Sequence, residues 1–79
     1  MATVAELEAR VQALAALPPP QGRRALRQAA GVSLAEVAAV CGVSRQTVYA
    51  WERGTARPTG DRLGAYLELL AMFKRTVGA

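Results

Sequence analysis

From residue 4 onward the apolar positions recur with helical spacing. Val4, Leu7, Val11 and Leu14 follow one another at intervals of 3, 4 and 3. That places them on one stripe of a helix and fits a heptad seam. Thr3 followed by Glu6 is a capping box, and alanine, a strong helix former, fills most other positions. The pattern predicts a helix over residues 4–16. Pro18, Pro19 and Pro20 end it, because proline lacks an N–H and biases the preceding residue away from helix. The run reads as a short, stiff, extended spacer.

Four short helices are expected beyond the prolines. GRRALRQAAG is the first, stopped by Gly31. Ser33 with Glu36 is a second capping box. It starts a helix whose inward face is marked by Leu34, Val37, Ala38 and Cys41, and Gly42 ends that helix. Ser44 caps RQTVYAWER, with Val43 and Val48 placed for a hydrophobic staple, and Gly54 stops it. The loop TARP then leads to Thr59 and a last helix near residues 60–75, striped by Leu63, Tyr66, Leu67, Leu70 and Phe73. No stretch alternates as a half-buried strand does, so the expected fold class is all-α.

Composition narrows the chemistry. The 79 residues suit one domain, or one domain with an arm. With 52% hydrophobic and 20% charged residues, the chain has a folding composition. It has no histidine and one cysteine, Cys41. That excludes a disulfide framework, the usual zinc ligand sets and the commonest general base. Cys41 reads as a small core residue. Six scattered carboxylates assemble no acid pair or activated nucleophile, so neither an enzyme nor a cofactor is expected. No apolar run nears the roughly 20 residues of a membrane span. The opening MATVAELEAR is acidic before it is apolar, unlike a secretory signal. A cytoplasmic location is expected, with no membrane partner and no small-molecule ligand.

The net charge of +4 is unevenly placed. Glu6 and Glu8 against Arg10 leave −1 in residues 1–17, and residues 18–79 carry +5. Nine of the ten basic residues are arginine, which grips phosphate and guanine edges in bidentate fashion. A genome biased toward alanine and arginine explains the same composition, so charge alone points only weakly to nucleic acid.

The order of parts is more specific. In LAEVAAVCGVSRQTVYAWERG two capped helices flank a tight glycine turn, the helix-turn-helix arrangement. Ala38 is small where the helices cross, Gly42 suits a left-handed turn residue, and Val43 plugs the corner. Val48 and Trp51 face inward. The expected architecture is a compact helix-turn-helix bundle of four short helices plus an extra N-terminal amphipathic helix. Its divisions are an arm at 1–17, a proline spacer at 18–20 and a helix-turn-helix domain at 21–76.

Residues 21–73, and GVSRQTVYAWERGTARPT above all, resemble the DNA-binding domain of the lambda-repressor-like family, also called the Cro/C1 or XRE type. The resemblance implies a compact bundle whose helix 45–53 enters the major groove of double-stranded DNA. It also implies a small transcriptional regulator, most often a repressor, of bacterial or phage origin and nucleoid-associated when bound.

On a wheel of about 100° per residue, Val48 and Trp51 define the inner face of helix 45–53. Gln46, Tyr49, Ala50 and Arg53 point away from it, and Arg45 lies on the flank. The first residues of such a helix reach base edges. Arg45 can bond guanine O6 and N7, and Gln46 adenine N6 and N7; a solvated helix face is the plain alternative. Tyr49 suits a thymine methyl, a phosphate or partial burial, and Ala50 can only pack on a methyl group. Ser33 and Ser44 are helix caps first and phosphate contacts second. Thr47 lies on the opposite flank as a further phosphate candidate. Arg53 suits phosphate or the helix dipole. Family resemblance adds Arg57, in the loop, as a phosphate contact. It also pairs Arg27 with Glu52 as a structural ion pair that sets the angle of helix 45–53. The family often has a long polar residue where this chain has Leu34, a departure that weakens the phosphate grip there. Arg23 and Arg24 read as a solvated basic face.

Proteins of this kind usually bind two half-sites as dimers. Val4, Leu7, Val11 and Leu14 are a candidate seam for a homodimer on an inverted repeat; the other option is that the arm folds back on its own last helix. A different class of function is also open. The arm and last helix of a protein-binding adaptor, such as an antitoxin-like partner protein, would hold another protein. Arg45, Gln46 and Arg53 on one outward face favour the DNA reading.

Overall fold

Three helices of the chain start the same way. Thr3, Ser33 and Ser44 sit in extended backbone, and each side-chain oxygen accepts the backbone N–H three residues ahead, at 3.1, 3.0 and 3.2 Å. Such caps satisfy donors that have no partner inside the helix. At Ser33 the box is complete, because the Glu36 carboxylate accepts the Ser33 backbone N–H at 3.0 Å. Those bonds hold the Glu36 carboxyl below its ordinary range. At Thr3 only the side-chain half of the expected box is present.

The structure, a computed structural model, describes residues 2–78. Its helices are α1 (Val4–Ala15), α2 (Pro20–Ala29), α3 (Leu34–Cys41), α4 (Arg45–Arg53) and α5 (Gly60–Gly78). The described residues contain no strand, and the fold is all-α as expected. The boundaries differ from the sequence pattern at the end of α1, one residue earlier, at the end of α5, which runs on to Gly78, and at the start of α2. Pro20 is not the end of an extended spacer but the first residue of α2, with Pro19 as its N-cap. The first helical position needs no N–H, and the proline ring presets its backbone angle, so the same residue that stops one helix opens the next.

Helices α2, α3 and α4 end alike. Val32, Val43 and Thr55 each donate a backbone N–H to the carbonyl five residues back, at 3.2, 3.0 and 3.0 Å. The turn between α3 and α4 depends on Gly42, whose φ of 71° is strained for any residue with a Cβ. Gly54 is constrained twice. Its φ is 75°, and a Cβ there would lie 2.9 Å from Cγ of Pro20. The end of α4 therefore rests directly on the start of α2.

The core gathers Val37, Ala38 and Cys41 from α3, Val48 and Trp51 from α4, and Tyr66, Leu70 and Phe73 from α5. These match the inward faces read from the sequence, except that Leu34 and Leu67, expected to face inward, are only half-buried. Burial pushes the Cys41 thiol up, in keeping with a packing role. Trp51 and Tyr66 tilt against each other with ring centroids 4.7 Å apart. Helix α1 stands apart. It touches no helix except α5, and none of its residues is buried.

The Tyr66 hydroxyl is enclosed with no hydrogen-bond partner. Burial, and then the Glu52 carboxylate, push its pKa up to about 12. The fold holds the neutral phenol, so this contribution is intact below the ordinary value near 10 and is lost as pH rises toward about 12. Tyr66→Phe keeps the ring and removes the orphaned hydroxyl. It is expected to raise unfolding free energy by about 1 kcal/mol at neutral pH and to flatten the alkaline limb. Urea titrations at neutral pH and across the alkaline range check both.

Candidate nucleic-acid interface

Helix α4 divides into two faces. Val48, Trp51 and Glu52 are buried, whereas Arg45, Gln46, Tyr49 and Arg53 are exposed and Thr47 and Ala50 are half-buried. Half-buried Thr47 fits its expected place on a flank, whereas Ala50, expected to point outward, is partly covered.

The buried face is held by two arginines of α2. Arg27 forks onto Glu52, with Nε donating to Oε2 at 2.5 Å and Nη2 to Oε1 at 3.0 Å. Its Nη1 donates to the Val32 carbonyl at 2.9 Å. One guanidinium thus ties α2, the turn before α3 and α4 together. Only 12% of the Arg27 side chain and 4% of the Glu52 side chain are exposed. The bond to Glu52 raises the Arg27 pKa, and the planar fork suits this site in a way that lysine would not. The ion pair implied by family resemblance is present.

Arg23 departs from expectation. It is not part of a solvated face. Its Nη1 donates to the Trp51 carbonyl and its Nε to the Pro18 carbonyl, both at 2.8 Å. The Trp51 carbonyl lies in the last turn of α4, where acceptors are left over and positive charge is favoured. Arg23 therefore caps α4 and ties it to the chain entering α2. The available clue was its spacing, one helical turn before Arg27 on the same face. Arg24 is exposed, as expected.

The outer face of α4 is open and cationic. Among the described residues Arg27–Glu52 is the sole ion pair, which leaves Arg45, Arg53 and Arg57 without a carboxylate. Arg57 is exposed in the loop after α4. Arg53 donates to the Tyr49 hydroxyl at 3.0 Å, and its guanidinium lies 5.5 Å from the ring centroid. Ser44 and Thr47 share a hydroxyl bond of 2.9 Å at the start of α4. Ser33 and Ser44 are both exposed, so each cap hydroxyl faces solvent at a helix N-terminus. A hollow of about 420 Å³ lies on this side, lined by Leu34, Arg45, Gln46 and Tyr49. Arg45, Gln46 and Tyr49 of α4 thus share one surface with Leu34 at the start of α3.

The stripe on α1 lies elsewhere. Val4 and Val11 are 81% and 62% exposed, Leu7 is exposed, and Leu14 is half-buried. Among the described residues no helix is long and apolar enough to cross a membrane.

A family model described as helix-turn-helix matches residues 24–72, more than half of the chain. Neither the curated proteins nor the solved structures yield a match.

Removing one partner of the enclosed pair strands the other charge. Glu52→Ala is expected to cost about 3 kcal/mol or more of unfolding free energy. The double change Arg27→Met with Glu52→Leu is expected to recover most of that loss. Urea denaturation of the three proteins compares the single and paired replacements.

Proposed function

The chain belongs to the helix-turn-helix family of the Cro/C1 (XRE) type, a DNA-binding family, and on that premise we propose that it is a small sequence-specific repressor. In this reading α4 enters the major groove of double-stranded DNA. The observation that carries the proposal is the division of α4: one face clamped by Arg23 and Arg27, the other open and cationic.

An α-helix fills the major groove, and its first turn meets base edges. Arg45 and Gln46 occupy that turn and take the roles of guanine and adenine readers. Tyr49 follows one turn after Arg45, on the same exposed side, and meets the next base or its methyl group. Ala50, half-buried beside it, offers a methyl contact only. Around this centre Ser33, Ser44, Thr47, Arg53 and Arg57 contact phosphates. The hydroxyls act at helix N-termini, where free N–H groups favour anions, and the arginines act through charge. Repression follows from occupancy, as the bound protein covers a site that polymerase or a competitor needs.

The protein acts as a homodimer on an inverted repeat with half-site centres about 34 Å or a multiple of it apart. Val4, Leu7, Val11 and Leu14 form the seam. Three facts support this. Val4, Leu7, Val11, Met72 and Val77, most of the exposed large apolar side chains, lie on α1 and α5. An isolated helix of the 12 residues of α1 is marginal in water. Glu6 and Glu8 on α1 and Lys74 and Arg75 on α5 have no ion-pair partner among the described residues, and their opposite signs match.

Selection from a random duplex library at moderate salt, followed by footprinting, tests the reading. An inverted repeat is the expected product. Arg45→Ala and Gln46→Ala are each expected to cost about 1–3 kcal/mol of binding and to relax one base position. Arg57→Ala should weaken all sequences alike and lower the salt slope by about 1. If binding stays weak, unselective and steeply salt-dependent, phosphate attraction is all that remains and the repressor reading falls.

Leu7→Asp with Val11→Asp should give a monomer in sedimentation and weaken binding to the full repeat while leaving the helical spectrum of the domain intact. An unchanged dimer in that variant would refute the α1 seam.

A further inference from the structure

The hollow beside α4 has mixed walls. Arg45 and Gln46 supply polar heads, while Leu34 and Tyr49 supply apolar surface. Leu34 is the first residue of α3 and packs its inner side on the core. Its backbone is therefore anchored, and the rest of its side chain faces the hollow. Tyr49 is 50% exposed, yet its ring is not free. Arg53, one turn further along α4, holds the hydroxyl at 3.0 Å. Arg45 and Gln46 lie one turn before it, so the ring stands between the Arg53 guanidinium and the hollow.

A phosphate gains nothing from a leucine wall, because desolvation against apolar surface has no compensating hydrogen bond. The apolar feature that a base pair presents in the major groove is a methyl group on pyrimidine C5. We infer that the hollow between Leu34 and Tyr49 seats the C5-methyl group of a pyrimidine next to the base read by Arg45 or Gln46. Leu34, outside α4, thereby becomes a specificity-determining residue. The inference rests on the proposed reading of DNA by α4 and adds one base position to it. Thymine and 5-methylcytosine carry the same methyl group, and the test separates them.

The selected duplex is re-synthesised with each thymine replaced in turn by deoxyuridine, which removes the methyl group alone. A second series replaces each cytosine by 5-methylcytosine. Burying one methyl group is worth about a fourfold change in affinity. The expected result is one position per half-site where thymine exceeds uracil by about that factor, if the seat holds thymine. If it holds methylated cytosine, 5-methylation at one position raises affinity by the same factor. In Leu34→Ala the ratio at that position should fall to about one. A helical spectrum and thermal melt confirm that the variant is folded, and Tyr49→Ala, at an exposed position, removes the opposite wall if it is not.

Specific binding with no methyl-sensitive position overturns the inference and leaves the DNA reading standing. So does a methyl effect that survives both wall substitutions. Failure to select any site removes the DNA reading itself, and the methyl seat with it.

Discussion

The placement of α4 depends on the guanidinium of Arg27. That group reaches three acceptors at once: both carboxylate oxygens of Glu52 and the carbonyl of Val32. A fork of fixed planar geometry transmits direction as well as attraction. A hydrogen-bonded frame thus joins α2 to α4 in addition to apolar contact. Arg23 completes it from one turn away by holding the Trp51 carbonyl. With Arg23 at the last turn and Arg27 at Glu52, α4 is gripped along its C-terminal half. In its first turn the side chains of Arg45 and Gln46 are exposed.

The clamp explains why the inner face of so short a helix can be so thoroughly enclosed. Val48 and Trp51 reach the core, and Trp51 meets Tyr66 of α5. The Tyr66 hydroxyl is left without a partner in the process. Burial of the ring and its contact with Trp51, together worth about 2–4 kcal/mol, offset the cost of one orphaned hydroxyl, about 1–3 kcal/mol. The start of α2 takes part as well: Pro20 presses on Gly54, so the stop of α4 and the entry to α2 form one contact.

The cationic face of α4 and most of the exposed large apolar surface lie on different helices. Arg45, Arg53 and Arg57, none paired with a carboxylate, lie on and after α4, whereas most of the exposed large apolar side chains lie on α1 and α5. Helix α1 has no direct contact with α4. The proposed reading of DNA through one surface and pairing through another requires this separation, because each surface must be covered without blocking the other.

Local chemistry was enough to read most helix limits and most of the inward faces. A cap acts across three residues and a glycine stop across five, so Ser33, Ser44, Gly42 and Gly54 announce their roles in the bare chain. Val48 and Trp51 follow from helical periodicity alone, and the Arg27–Glu52 pair was reached by way of family resemblance. Three features were decided only in three dimensions. Arg23 bonds a backbone carbonyl 28 residues away, and no side-chain pattern marks a carbonyl as an acceptor in need of a donor. Pro20 opens α2 because its missing N–H is harmless at a first helical position, a context that a run of three prolines does not reveal. Leu34 and Tyr49 line one hollow although they belong to different helices, for the turn at Gly42 determines how those helices meet. Periodicity shows which way a side chain faces along its own helix. What it faces depends on how the helices pack, and here the Gly42 turn, the apolar core and the two arginines of α2 all take part.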